Sequence, residues 1–203
     1  NRDKQARKSS GIESEKDFEK NPVTVYREGI YMGYRYFDTF EKEVMYPFGF
    51  GLSYAEFHQT VESICRASGE EASMVVTVMV ENTSKTPGKD VVQVYASLPA
   101  GRLEQPYKKL IGFGKTHLLQ PGEKERVIIR IPLTELASYD EEKAAYLLEA
   151  GDYILRVGST GNQTRIAGKI AVAEEILAVR YTNRLSLQEC NREKITFLSG
   201  REL

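Results

Sequence analysis

The residues best suited to chemistry in this 203-residue chain are carboxylates, and they fall in two places. Asp140, Glu141 and Glu142 are consecutive, whereas Glu28 and Asp38 flank a run of aromatic residues. Two carboxylates can share general acid and general base or nucleophile roles. A working acid needs burial or a like-charged neighbour to move its pKa, and Asp140 to Glu142 follow Tyr139 at the expected tip of a hairpin. They read as a solvated turn. His58 lies in a strand pattern and His117 near a turn, neither with a serine, cysteine or acid at a telling spacing, so both read as structural or surface residues. Cys65 and Cys190 are far apart and share no ligand spacing with either histidine, which argues against zinc. No metal and no cofactor is expected. Gly112-Phe113-Gly114 is too short for a phosphate loop and no lysine with Ser/Thr follows at the required offset. Asn82-Thr83-Ser84 and Asn162-Gln163-Thr164 match the glycosylation acceptor pattern, which matters only in a secreted eukaryotic protein.

The carboxylate Asp38 belongs to the densest stretch of the chain, Gly29-Ile-Tyr-Met-Gly-Tyr-Arg-Tyr-Phe-Asp38, followed by Tyr46-Pro-Phe-Gly-Phe-Gly-Leu-Ser-Tyr54. Glycine costs conformational entropy, so Gly29, Gly33, Gly49 and Gly51 imply tight turns or backbone packed on backbone. Pro47 sets its own φ and favours an extended Tyr46, so Tyr46 to Gly49 reads as an arm that then turns. Arg35 and Asp38 suit an ion pair with the guanidinium stacked on a ring. A structural clamp accounts for the glycines and Pro47 better than a pocket does. The expected junction residues are Gly29, Gly33, Tyr34, Arg35, Asp38, Pro47, Phe48, Gly49 and Gly51.

The composite motif Tyr26-Arg-Glu-Gly-Ile-Tyr-Met-Gly-Tyr-Arg-Tyr-Phe-Asp38 with Tyr46 to Tyr54 resembles the end of the second domain of family 3 glycoside hydrolases, which include the β-glucosidases. The resemblance continues through Asn82-Thr83, Gly88 to Tyr95, Leu110 to Phe113, Leu119 to Gly122, Ser138 to Asp140, Gly151 to Tyr153 and Val157 to Ser159, segments similar to the fibronectin type III-like domain that follows in many members. It covers about residues 23 to 172. It implies a parent enzyme that hydrolyses terminal β-glycosidic bonds with retention, acting on a β-linked glucoside or oligosaccharide. The family's nucleophile lies on the first, barrel domain and its usual acid/base earlier in the second. Neither motif is matched here, so no catalytic residue is assigned and the chain alone is expected to be inert. No substrate-binding residue is assigned either. The missing catalytic domains are the expected partner, buttressed by the sandwich through the arm, so that changing Arg35 or Phe48 in the whole enzyme lowers stability and activity together. The competing reading is a carbohydrate-binding or adhesion module. The absence of Trp and of an evident row of exposed aromatics argues against it, and the loop from Leu98 to Tyr107 is its best candidate site.

Composition sets outer bounds. With 28 basic and 29 acidic residues the net charge is -1, so no global field recruits nucleic acid or an anionic membrane, and neither partner is expected. No apolar run approaches a membrane span, and the first residues lack a signal-peptide core, although the chain begins with Asn1 rather than methionine. The cytoplasm is slightly favoured over secretion, with localisation otherwise open.

The pattern predicts a mainly β protein: an antiparallel sandwich of the fibronectin type III or immunoglobulin kind, preceded by a remnant of an α/β sandwich domain. Residues 1–22 are polar and read as a linker or mobile segment, 23–54 as the terminal piece of the second domain and junction arm, 55–173 as the sandwich, and 174–203 as a tail or inter-domain connector. A short helix or irregular turn is expected around Gly29 to Tyr36. Val76, Val78 and Val80 alternate, as do Val127, Ile129 and Ile131, marking strands with one buried face. Further strands are expected at Phe57–Ile64, Lys89–Ser97, Tyr107–Leu119, Ser138–Tyr139, Ala144–Leu148, Asp152–Ser159 and, at an edge, Arg165–Ala173. One helical turn is expected at Leu133–Ala137, and a bulge or close approach at Gly112 and Gly114. In the tail, Ile176, Val179, Leu185 and Leu187 show partial helical spacing.

Overall fold

The computed structural model describes residues 28–67 and 72–182. The linker expected at 1–22, the strand-like Val23-Thr24-Val25, Cys190, and Leu185 and Leu187 of the tail lie outside the described residues.

Alternating apolar residues make the strands that face each other. β1 (Phe57–Arg66), β2 (Ser73–Asn82) and β5 (Lys124–Pro132) form one antiparallel sheet in the order β1-β2-β5. β3 (Val91–Ser97), β4 (Lys109–Lys115), β8 (Gly151–Thr160) and β9 (Gln163–Val172) form the other in the order β4-β3-β8-β9. Period-two patterning sends Val76, Val78 and Val80 of β2 and Val127, Ile129 and Ile131 of β5 into one core with Val94 and Leu155 of the facing sheet. The three β2 valines are wholly inaccessible, each contributing about 1.5–3 kcal/mol relative to exposure.

Gly112 and Gly114 let the two sheets close. A Cβ on Gly112 would stand 2.8 Å from Ile131 Cγ1, and one on Gly114 would stand 2.6 Å from Val127 Cγ1. The ladder between β3 and β4 slips beside Gly112, where Val94 pairs with Gly112 but Tyr95 with Leu110. Bulge and close approach are therefore both present.

The helical turn expected after β5 is a 3-10 turn at Leu133–Leu136, which carries the chain to β6 (Ser138–Asp140) and β7 (Ala145–Leu148). Two expectations fail here. The tail residues Ile176–Arg180 are not helical; they form β10, which pairs antiparallel with β7 in a small sheet ordered β10-β7-β6. The ladder to Leu147 and Leu148 outweighs the partial helical spacing. Asp140 is also not a solvated turn residue. Its side chain is buried, its Oδ1 accepts the backbone N–H groups of Glu142 and Lys143 at 2.9 and 3.1 Å, and its Oδ2 is paired with Arg102. Glu141 and Glu142 alone are exposed.

Ahead of the sandwich, Gly33 caps a six-residue helix, α1 (Tyr34–Thr39), and the chain then runs as an irregular arm to β1.

Candidate functional site

β3 shows why the arm lies where it does. An exposed sheet face should alternate apolar and polar, yet Val92 to Ala96 are all buried. Val92, Val94 and Ala96 face the core, so Gln93 and Tyr95 must be covered from outside. The arm covers them. Tyr34 of α1 stacks at 4.9 Å between ring centroids with Phe48 and meets Tyr95 edge-on at 5.9 Å. Its hydroxyl accepts the Leu110 N–H at 2.8 Å, and Thr39 Oγ1 accepts the Tyr107 N–H at 2.9 Å. At the far end of the arm, Phe48 O accepts the Gly161 N–H at the β8–β9 turn at 2.8 Å.

The expected junction glycines all have positive φ: 55° at Gly29, 57° at Gly33, 80° at Gly49 and 60° at Gly51. Gly49 is doubly constrained, because a Cβ there would stand 2.1 Å from Gln93 Nε2. That amide is not free to move. It donates to Ser159 O at 2.6 Å while Gln93 Oε1 accepts the Tyr95 hydroxyl. Pro47 opens the tight turn that follows, with Phe50 N–H bonded to Pro47 O at 3.1 Å.

The anticipated Arg35–Asp38 ion pair does not form. Asp38 Oδ2 instead sits 3.2 Å from Lys108 Nζ, a charge contact without an aligned hydrogen bond. Lys108 is buried between two rings, 5.7 Å from the Tyr95 centroid and 5.2 Å from that of Tyr107. A buried ammonium needs a carboxylate, and this requirement decides the competition for Asp38. Arg156 covers Tyr107 at 5.1 Å, so the cation stacked on a ring is Arg156 rather than Arg35. Burial, with the nearby Tyr34 and Asp38 charges, raises the pKa of Tyr95. Burial and then the charge of Arg35 push Lys109 down to about 8, and its Nζ donates to Ala137 O at 2.8 Å.

Much of the arm's other surface is apolar and uncovered, interrupted by the exposed charges of Glu41, Lys42 and Glu43. Met32, Tyr36, Phe37, Met45, Phe50 and Leu52 are exposed, Met45 to 87% and Leu52 to 89%. Single exposed apolar residues are ordinary, but a contiguous run marks a contact surface.

The other candidates resolve differently. The Leu98–Tyr107 loop is anchored, Arg102 N–H to Glu149 Oε1 at 2.8 Å and Gln105 Nε2 to Ser138 Oγ at 2.9 Å. An exposed aromatic row does exist, unseen in the sequence because β10 was not: Tyr139, Tyr146 and Tyr181 pack at 5.2 and 5.9 Å. Their planes are inclined by 58° and 70°, so the rings pack on each other rather than forming a flat sugar platform. His117, in contrast to its expected isolation, lies between Glu123 at 3.0 Å and Glu125 at 2.7 Å, and the Glu123 hydrogen bond foremost raises its pKa. Asn82 is buried, its Nδ2 donating to Thr86 O and Leu119 O, so of the two acceptor sequences only Asn162 is exposed. Among the described residues no three His, Cys, Asp or Glu side chains group as metal ligands, and no helix is long and apolar enough to cross a membrane.

Sheet order and core define a fibronectin type III-like β-sandwich, and residues 90–160 match the fibronectin type III-like domain family. The chain is 39% identical over 180 residues to β-glucosidase A of Butyrivibrio fibrisolvens, covering 79% of this chain and 22% of that protein. It is 40% identical over 152 residues to a β-glucosidase of Ruminococcus albus, covering 72% and 16% respectively. Among solved structures, a β-glucosidase of Paenibacillus barengoltzii superposes with a TM-score of 0.73 at 39% identity, over 78% of this chain and 18% of that one. β-Glucosidase 3B of Thermotoga neapolitana, solved with α-D-glucose, gives 0.71 at 37% identity, over 83% and 23%. The chain belongs to the fibronectin type III-like region of family 3 glycoside hydrolases. It spans only 16% to 22% of the length of the two curated relatives.

Proposed function

We propose that this chain is the buttress of a retaining β-glucosidase-like enzyme, with the arm as its dock. The outer face of residues 29–54 seats the sandwich against the catalytic domains, whose acid/base loop must stay in register with a nucleophile on another domain to well within an ångström or so. In this reading residues 23–54 close the second, α/β domain, 55–173 make the sandwich, and the parent substrate is a β-linked glucoside or oligosaccharide. The observation that carries it is the two-sidedness of the arm. One face is bonded to the sandwich through Tyr34, Thr39 and Phe48, and the other presents bare apolar side chains.

The test replaces Met45 and Leu52 by Ser in the complete enzyme. Neither side chain packs on the sandwich, so a docking role predicts a lower melting temperature and lower kcat together. Unchanged melting and activity in the double variant would defeat the proposal. Binding of glucan oligosaccharides to this chain, lost when Tyr139 and Tyr146 are changed to Ala, would favour a sugar-binding module instead.

A further inference from the structure

On α1, one turn before the buried Thr39, lies a guanidinium without a partner. Arg35 is half-buried on α1, and among the described residues no carboxylate or carbonyl meets its guanidinium. Asp38, the acid three residues on, is held by Lys108. Across the fold the charge of Arg35 acts on the ammonium of Lys109, which Glu135 also attracts and whose own hydrogen bond goes to Ala137 O. Arg35 is flanked in sequence by Met32, Tyr36 and Phe37, all exposed. Arg35 thus stands unpaired on a helix whose neighbouring side chains remain exposed.

Covering that surface with purely apolar side chains would strand a guanidinium out of water, which is heavily disfavoured. A planar fork of donors is matched best by a carboxylate. Resting on the docking role given above, we infer that the surface seated on this arm, part of the same enzyme beyond this chain, presents an aspartate or glutamate to Arg35 from within an apolar patch. Two observations choose that occupant: the unmatched positive charge, and the fact that the chain accounts for 18% to 23% of the structures it resembles, so most of such an enzyme lies outside it. Arg35 is then a specificity element, since a neighbour lacking the carboxylate is rejected by the uncompensated charge.

A zero-length cross-link reads this directly. In the complete enzyme carrying Arg35→Lys, a water-soluble carbodiimide activates carboxylates as O-acylisoureas. The amine introduced at position 35 attacks the acyl carbon, an amide forms and the urea leaves, so that the carbodiimide takes up the elements of one water. The expected product joins residue 35 to an Asp or Glu outside this chain. The exposed pair Lys124–Glu81, at 3.1 Å, supplies the internal control. Coupling at the control with none at residue 35, or coupling only within this chain or to a second copy of it, would overturn the inference.

Salt dependence gives a second reading. Arg35→Gln should lower the melting temperature at low ionic strength, and about 1 M salt should shrink that loss at least twofold by screening. An equal loss at both salt levels, as packing alone predicts, would also overturn it. The docking role itself is judged separately, by the Met45 and Leu52 variants, which carry no charge.

Discussion

Gly49→Ala is the sharpest perturbation of the arm. Its backbone φ of 80° costs an alanine about 1–2 kcal/mol relative to glycine. The new methyl would also stand 2.1 Å from Gln93 Nε2, so the amide has to leave its place. Gln93 is buried and carries two bonds, to Ser159 O and from the Tyr95 hydroxyl. Leaving one such group unpaired costs about 1–3 kcal/mol, giving roughly 2–5 kcal/mol in all. If the unit melts cooperatively, that corresponds to a fall of roughly 4–20 °C in Tm. Loss of the arm alone would cap the effect at the arm's own docking free energy. Calorimetry should therefore be joined to hydrogen exchange at two amides, Leu110 and Gly161, which are bonded to Tyr34 Oη and Phe48 O. Both should lose protection in Gly49→Ala. Gly29→Ala is the control, since φ is 55° but no atom lies within 4 Å of the added methyl. Equal losses in the two variants, with both amides still protected in Gly49→Ala, would refute the packing of the arm on β3.

Tyr34→Phe keeps the ring contacts to Phe48 and Tyr95 but removes the acceptor for Leu110 N–H, and should cost about 1–3 kcal/mol by chemical denaturation. Asp140, whose pKa is lowered chiefly by Arg102, should stabilise the fold fully above the unfolded carboxylate value of about 3.9 and lose this as pH falls through its lower folded value. Comparing Asp140→Asn with the parent from pH 6 down to pH 2 tests this: the gap should narrow steadily with acid. His117 runs the other way, because its folded pKa is raised. Its contribution should be complete below the unfolded value of about 6.5 and vanish as pH rises through the folded one, so His117→Gln should match the parent only at alkaline pH.

What the sequence disclosed was local in origin. The alternation of Val76, Val78 and Val80 needs only the pleat to be read, and the junction glycines announce positive φ because little else tolerates it. Gly112 and Gly114 likewise flagged the tight sheet contact. What stayed hidden depended on partners distant along the chain. Asp38 is claimed by Lys108 rather than by Arg35, three residues away, because the lysine is the more buried cation. Asp140 looked solvated until Arg102 and the loop bearing it closed over the hairpin. β10 is five residues long, and its strand character comes from the free edge of β7 rather than from its own periodicity. The burial of Gln93 and Tyr95 was the one signal available and unread: Val91 to Ala96 lacks the alternation of a half-exposed strand, which already asks for a second covering layer.

The most direct test of the buttress account is reconstitution. The catalytic domains of the complete enzyme, expressed without this segment, are assayed on a chromogenic β-glucoside alone, with this chain added, and with its Met45→Ser/Leu52→Ser variant added; the chain is also assayed by itself. The account predicts no hydrolysis by the chain, weak hydrolysis by the truncated enzyme, and a saturable gain on mixing that the variant fails to give. Hydrolysis by the chain alone, or full activity of the truncated enzyme without it, would contradict the account.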